Sequence, residues 1–331
     1  MQLYIKYGRK MKKNFAILCS GGDAPGMNPA IKKFVDYIYK LGATPYLVYD
    51  GLEGLIDAKI QKANHADVAG ILHRGGTVIR SSRSKRFFEK SYREMAYNNL
   101  KVHDIEALVV LGGDGSFRAM DVFSKEFGIN FVGIPATIDN DIYKTEYSLG
   151  VDTALNVIRD AIDKIKDTAS SFNRAFVVEV MGRECGYLAG VSAMVSGAEV
   201  CLVPEVVFDK AKATSRLQEE FAKGRNYLLA IVAEGCNATK EVQEWIEKSF
   251  EIETRVSVLG HIQRGGNPSV YDRMMAFEFV VQAVDRLFNN KKTAEVVVYD
   301  TTEFLFVDIA EVVQKKNTIP QHIVESLALL D

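Results

Sequence analysis

The chain has few of the residues that build metal cages or covalent frameworks. Its 331 residues include four cysteines and five histidines. Cys19, Cys185, Cys201 and Cys236 form no CxxC pair and lie in apolar or glycine-flanked stretches, the pattern of reduced thiols rather than of a disulfide scaffold or a zinc site. No run of about 18 apolar residues is present, which excludes a membrane-spanning helix. The N-terminal MQLYIKYGRKMKK lacks the apolar core of a signal peptide, and residues 1–10 read as an extension ahead of the fold. An excess of one charge is missing as well. The 41 Lys and Arg face 43 Asp and Glu, a net charge of -2. Binders of nucleic acid or membrane surfaces usually carry a basic excess. The expectation is a cytoplasmic protein with neither kind of partner.

Hydrophobic residues make up 47% of the chain and charged residues 25%, which is globular composition with enough apolar mass for about two domains. Apolar strand patterns alternate with helical ones. NFAILCS at 14–20 breaks at a glycine turn and a helix pattern follows. ALVVL at 107–111 does the same before Gly112-Gly113-Asp114-Gly115-Ser116, and the strand at 131–135 ends in Thr137-Ile138-Asp139-Asn140-Asp141. Further strands are expected at 175–180, 200–203, 227–233, 255–259 and 295–299, with helices at 152–167, 209–223, 239–249 and 271–289. Alternation of this kind specifies α/β architecture with mostly parallel sheets covered by helices.

Ligands of open α/β sheets bind beyond the carboxyl ends of the strands, and the chemistry-bearing residues gather there. The turn at 20–26, with Gly22, offers backbone N–H groups at a helix start, a phosphate cradle or simply a tight turn. GGDGS lets backbone approach phosphates, and Asp114 suits Mg²⁺. The same motif occurs in several nucleotide-dependent kinases and does not specify the acceptor. In TIDND two carboxylates stand two residues apart. On extended backbone they point a similar way, and phosphoryl transfer needs both a proton acceptor and a metal ligand. Residues 73–93 carry seven basic side chains against one acid, Glu89. Such a run is usually a solvated face, yet Arg83 here lies between phosphate-loop candidates. Met181-Gly182-Arg183, Glu234 and His261-Ile262-Gln263-Arg264 each follow a strand, an arrangement suited to an anionic group.

Taken in order, SGGDAPGMN, HRGGT, GGDGS, TIDND, VMGR, AEG and ETRVSVLGHIQRGG resemble the bacterial ATP-dependent 6-phosphofructokinase family from about Met11 to beyond residue 300. The resemblance implies two similar three-layer α/β domains. Residues 11–149 with about 262–313 would be the larger, ATP-binding one. Residues 150–261 with about 314–331 would bind the sugar phosphate. The reaction implied is transfer from Mg-ATP to the 1-hydroxyl of fructose 6-phosphate. Asp139 matches the base, with Thr137, Asp141, Arg83 and Arg183 completing the catalytic set. Gly22, Arg83, Ser84, Gly113, Asp114, Gly115 and Ser116 match nucleotide contacts, and Asp114 matches the metal-associated carboxylate. Met181, Gly182, Arg183, Glu234, His261 and Arg264 match sugar-phosphate contacts. Arg174 and Arg255 match residues that enter the neighbouring subunit's site, which implies a homotetramer. Gly115 and Ala136 favour ATP over pyrophosphate as donor. Leu52 and Ser84 stand where aromatics are usual. Lys32, Gly197, Glu199, Lys223 and Arg225 match an inter-subunit effector cluster. Asp36 and His65 replace arginines there, Lys166 replaces another, and Gly70 stands where an Asp is usual. These changes imply a weak or altered effector response.

Overall fold

The computed structural model describes residues 13–289 and 292–328. The expected N-terminal extension, 1–10, lies outside them. The chain forms two compact units. One comprises residues up to Ile138, Ile142–Asp152 and Gly266–Lys316, and the other Asp139–Asp141, Thr153–Gly265 and the residues from Asn317 on.

In the first unit the strands are β1 (Asn14–Cys19), β2 (Thr44–Val48), β3 (Ile60–Lys62), β4 (Ile105–Gly112), β5 (Phe131–Pro135), β10 (Ala294–Asp300) and β11 (Glu303–Asp308). They form one sheet in the order β11-β10-β5-β4-β1-β2-β3. The five inner strands are parallel, and the edge strands β3 and β11 run antiparallel. Burial on both faces explains why the inner strands read as continuous apolar runs. Alternate residues point to opposite faces. Ala16 and Leu18 join a core with residues of α2 (Gly51–Ile56), α3 (Lys90–Val102) and α4 (Asp114–Phe127). Phe15 faces the other way and stacks on Phe288 of α9 (Val270–Asn289), which packs with α1 (Met27–Lys40). Helix, sheet and helix therefore make three layers.

The second unit holds β6 (Ala175–Val180), β7 (Val200–Leu202), β8 (Leu228–Ala233) and β9 (Thr254–Val258), all parallel in the order β7-β8-β6-β9. Ala175, Val177, Ala230 and Val232 bury against α7 (Lys210–Ala222) and α8 (Thr239–Phe250), around Trp245. Helix α6 (Tyr187–Ser196) covers β8 from the other side, with α11 (Gln321–Leu327) upon it. Helix α5 (Val151–Phe172) runs five residues beyond its expected end, and the short α10 (Ile309–Val312) follows β11.

A buried carboxylate fastens the chain just before α5. Asp272, fully buried, accepts hydrogen bonds from the Tyr147 hydroxyl and, at 2.6 Å, from the Gly150 backbone N–H. Burial, together with the Asp272 charge, pushes the Tyr147 hydroxyl well above its ordinary pKa, so tyrosine remains the donor. Asp272→Ala would leave both donors buried without this acceptor. Loss of about 2–5 kcal/mol is expected, read as a lower urea midpoint at unchanged slope.

The thiols are free, as their spacing suggested. Burial raises the Cys19 thiol to about 12, although a Thr77 hydrogen bond opposes it, and burial also raises Cys185 to about 12. Neither is a poised nucleophile at neutral pH.

Candidate active site

In the first unit, three adjacent parallel strands, β1, β4 and β5, deliver their loops to one edge of the sheet. Strand order reverses between β1 and β4, since the chain runs outward from β1 through β2 to β3 and then returns to β4 on the other side. A crevice beyond the strand ends is expected at such a point. The two glycine loops occupy it. Gly21 has φ of 86°, a conformation that favours glycine, and a Cβ there would lie 3.2 Å from the Ser116 hydroxyl oxygen of the second loop. The Ala136 N–H donates to the Gly112 carbonyl at 2.9 Å. That bond sets Thr137 against Gly113, where a Cβ would come within 3.4 Å of the threonine Cβ. Gly22, Gly113–Ser116 and Thr137 thus form one cluster. Asp114 opens α4, so its carboxylate sits at the positive end of a helix. A Cβ on Gly115 would meet nothing within 4 Å.

Arg83 reaches this edge on an irregular segment stitched to its surroundings. The Gly21 N–H donates to the Ser82 carbonyl at 3.2 Å, and the Ser81 hydroxyl to the Gly21 carbonyl at 2.8 Å. The Ser82 hydroxyl donates to the Asp50 carbonyl at 2.6 Å. Of the seven basic residues at 73–93, three are paired with carboxylates: Arg80 with Asp50, Arg86 with Glu53 and Asp57, and Arg93 with Glu126. Arg83 is exposed and makes no hydrogen bond or ion pair with the described residues. Ser84 next to it is hydrogen-bonded within the protein. Its hydroxyl donates to Glu53 and accepts from the Phe87 N–H at 3.1 Å. Burial raises the Glu53 carboxyl, but the Ser84 and Arg86 hydrogen bonds outweigh it and hold the group below its ordinary value. Ser84 clamps the segment beside Arg83. Leu52, in the place of a usual aromatic, is buried in the sheet core.

The TIDND segment departs from the sequence expectation. It is a turn, not extended backbone, and Asn140 has φ of 53°. The two carboxylates are therefore not set parallel by a pleat. Asparagine tolerates the left-handed region that reverses the chain there. Thr137 belongs to the first unit and Asp139–Asp141 to the second.

In the second unit the ends of β8, β6 and β9 converge. The Met181 N–H donates to the Gln263 side chain at 3.0 Å, and Gln263, fully buried, donates onward to the Gly260 carbonyl at 3.0 Å. The Gly235 N–H donates to the Gly182 carbonyl at 2.9 Å, and a Cβ on Gly235 would lie 1.8 Å from the Arg183 carbonyl oxygen. Arg183 and Glu234 stand 3.7 Å apart as an ion pair. His261 is exposed on the short turn Gly260–Arg264 that also carries Arg264. Met181, Gly182, Arg183, Glu234, His261 and Arg264 thus share one edge. Gln263, which sequence reasoning passed over, ties the β6 loop to the β9 loop.

Arg174 and Arg255 do not join them. Arg174 precedes β6, and Arg255 pairs in register with Phe176, so both lie at the amino end of the sheet. Six residues of strand separate that end from Met181, a span of about 20 Å. The two arginines share Glu253, whose carboxyl the Arg174 hydrogen bond (2.7 Å) holds below its ordinary value.

The effector candidates also fall into two groups. In the first unit Lys32 donates to Asp36 at 2.9 Å, and His65 lies 2.7 Å from the other Asp36 oxygen. Burial raises the Asp36 carboxyl, but these two hydrogen bonds prevail and lower it. Asp36 therefore stands as the partner of Lys32 and His65, not as a lone charge facing an effector. In the second unit Arg225 pairs with Glu199 and, at 2.7 Å, with Glu220, while Lys166 donates to the Ser196 carbonyl at 2.6 Å. Gly197 ends α6 with φ of 60°, and Lys223 lies 3.9 Å from Glu219.

Glycine loops at the strand ends of one unit and cationic side chains at the strand ends of the other mark a protein of parallel α/β sheets with ligand sites beyond the carboxyl ends of its strands. The phosphofructokinase family model matches residues 14–287, and the chain belongs to that family. It is 59% identical to the ATP-dependent 6-phosphofructokinase of Sulfurimonas denitrificans over 92% of this chain and 95% of that protein. It is 56% identical to the enzyme of the same name from Sulfurovum sp., over 93% and 94% respectively. Among solved structures, phosphofructokinase from Saccharomyces cerevisiae superposes with a TM-score of 0.87 at 33% identity, covering 92% of this chain. The chain spans 45% of that longer yeast protein. No helix among the described residues is long and apolar enough to cross a membrane.

Proposed function

We propose that the protein transfers the terminal phosphoryl group of ATP to the 1-hydroxyl of fructose 6-phosphate, giving fructose 1,6-bisphosphate, as a glycolytic enzyme of the cytoplasm. The observation that carries this is the joining of the two glycine loops and Thr137 at the strand-order reversal of the first unit, with Arg83 stitched beside them, exposed and unpaired among the described residues. Phosphoryl transfer asks mainly for positioning and charge neutralisation. Gly22 and Gly113–Ser116 hold the phosphates, and Arg83 neutralises charge on the transferring group. The open side of Gly115 leaves room for a nucleoside, which supports ATP over pyrophosphate.

The residues fit a magnesium ion. Among the described residues no group of three or more potential ligands stands together. Mg²⁺ characteristically takes one or two carboxylates and completes its shell with water and substrate phosphates. Asp114 would hold it beside the phosphate loop. The ion supplies charge neutralisation across the phosphates. Asp139 accepts the proton of the 1-hydroxyl, supported by Thr137 and Asp141. Met181, Gly182, Arg183, Glu234, His261 and Arg264 grip the sugar phosphate, aligning the hydroxyl.

Arg174 and Arg255 serve a neighbouring subunit's substrate, since they sit at the far end of their own sheet. The working form is then a homotetramer.

The direct test supplies fructose 6-phosphate and Mg²⁺ with either ATP or pyrophosphate, and assays the bisphosphate. Product with ATP alone is the expected result. Product with pyrophosphate would overturn the donor assignment, and none with either would remove the enzyme reading. Because Lys32 and His65 are already engaged with Asp36, phosphoenolpyruvate and ADP are expected to shift the fructose 6-phosphate saturation curve less than about threefold. Charge-assisted contacts withheld from an effector lose roughly 1.5–3 kcal/mol each. A larger shift would show that the pairs open for the ligand.

A further inference from the structure

At the strand ends of the second unit one buried side chain engages two loops at once. Gln263 is fully buried within the turn Gly260–Arg264. Its oxygen accepts the Met181 N–H at 3.0 Å, and its nitrogen donates to the carbonyl of Gly260, the first residue of the turn, at 3.0 Å. A backbone N–H only donates and a carbonyl only accepts, so this pair of partners calls for an amide, and an ionised carboxylate could satisfy one of them alone. The turn is of the 3₁₀ kind, in which side chains three residues apart eclipse. His261 and Arg264 therefore share one face. His261 is exposed and Arg264 half-buried, while Gln263 leaves the turn by another face, into the protein.

A five-residue turn can rotate about its own axis without breaking its internal hydrogen bonds. Such a rotation would swing His261 and Arg264 together relative to Met181, Gly182 and Arg183. The bond from Gln263 to Met181 opposes it, because it ties the turn to the loop after β6. That loop is itself held to the β8 end, where the Gly235 N–H donates to the Gly182 carbonyl at 2.9 Å. The turn after β9 is thus referred to a fixed point. Groups that grip a ligand must hold their places to within about 0.5 Å. We propose that Gln263 is a positioning residue for the sugar phosphate: it sets the face of His261 and Arg264 against Arg183, and so raises affinity for the acceptor without contacting it. The donor, held by loops of the first unit, is outside its influence. The inference rests on the reading of these loops as the sugar-phosphate site.

Calorimetry on the whole protein reads fructose 6-phosphate and Mg-ADP binding separately, in the unaltered chain, Gln263→Met and Gln263→Asn. Methionine keeps the length of the side chain and loses both hydrogen bonds. Asparagine keeps donor and acceptor but is one methylene shorter and cannot reach both partners. Each variant is expected to bind fructose 6-phosphate roughly tenfold more weakly, the scale of one charge-assisted contact. Stoichiometry and Mg-ADP affinity should be unchanged. A merely structural role would instead lower the stoichiometry of both ligands, or weaken both alike. Either of those results would overturn the inference, as would unchanged fructose 6-phosphate affinity in a variant that folds, or failure of both variants to fold. No binding of fructose 6-phosphate by the unaltered protein would overturn the substrate reading beneath it.

Discussion

Asp139→Asn should lower kcat by about 10²–10⁴-fold, the usual weight of a positioned general base. Asparagine keeps the size and one oxygen of the side chain but cannot take up the hydroxyl proton. KM for both substrates should remain close to that of the unaltered protein, because the phosphate loops and the cationic loops lie on other segments. Asp139 sits in a turn fixed by Asn140 at positive φ, and the Asp141 carbonyl accepts the Asn317 N–H at 3.0 Å. Both features belong to the backbone, which the substitution leaves unchanged. Steady-state kinetics at saturating ATP and fructose 6-phosphate provide the measurement. Turnover within a few-fold of normal would remove Asp139 from the role.

The second large effect concerns Arg255 and Arg174. Arg255→Ala should lower kcat/KM for fructose 6-phosphate by about 10- to 100-fold, as expected for losing a charge-assisted contact to a phosphate. KM for ATP should hardly move. The sharper test mixes two nearly inactive variants, Asp139→Asn and Arg255→Ala, after dissociation and reassembly. If the arginines act across subunits, some sites in mixed oligomers receive an intact Asp139 from one chain and an intact Arg255 from another, and activity returns. If they act within their own chain, every site keeps one defect and none returns. The second outcome would contradict the placement of both arginines at the amino end of the β6–β9 sheet, about 20 Å of strand from Met181.

Much of the fold was legible because its signals are local. Strands β1 and β4 are apolar runs that lead into glycine turns, and glycine is where a chain must turn tightly between strand and helix. The elements that the pattern did not reveal have specific causes. Strand β11 follows β10 through a two-residue turn, Thr301-Thr302, with φ of 46° and 73°. Asparagine and glycine normally announce that turn, and threonines do not. Helix α6 lies between β8 and α11, so it is apolar on several sides and shows no amphipathic stripe. A Cβ on its Gly190 would come within 2.7 Å of the Ile319 side chain. The extended form expected for TIDND failed because Asn140, lying between the two aspartates, turns the backbone to the left.

By itself the sequence determined the alternation of strand and helix, the glycine loops, and the residue types able to bind phosphate, hold a metal and accept a proton. These follow from backbone freedom and side-chain chemistry, which act over a few residues. Only the tertiary structure decided which charges are already engaged. Arg86 and Ser84 hold Glu53, whereas Arg83 beside them has no such partner among the described residues. Asp36 is matched by Lys32 and His65, and Asp114 by Arg118 and by Lys316 from 202 positions away in the chain. It also set Arg174 and Arg255 at the opposite end of the sheet from His261, although Arg255 and His261 are six residues apart in the chain. Coulombic and hydrogen-bond energies depend on distance in space, and sheet order, not sequence separation, fixes that distance.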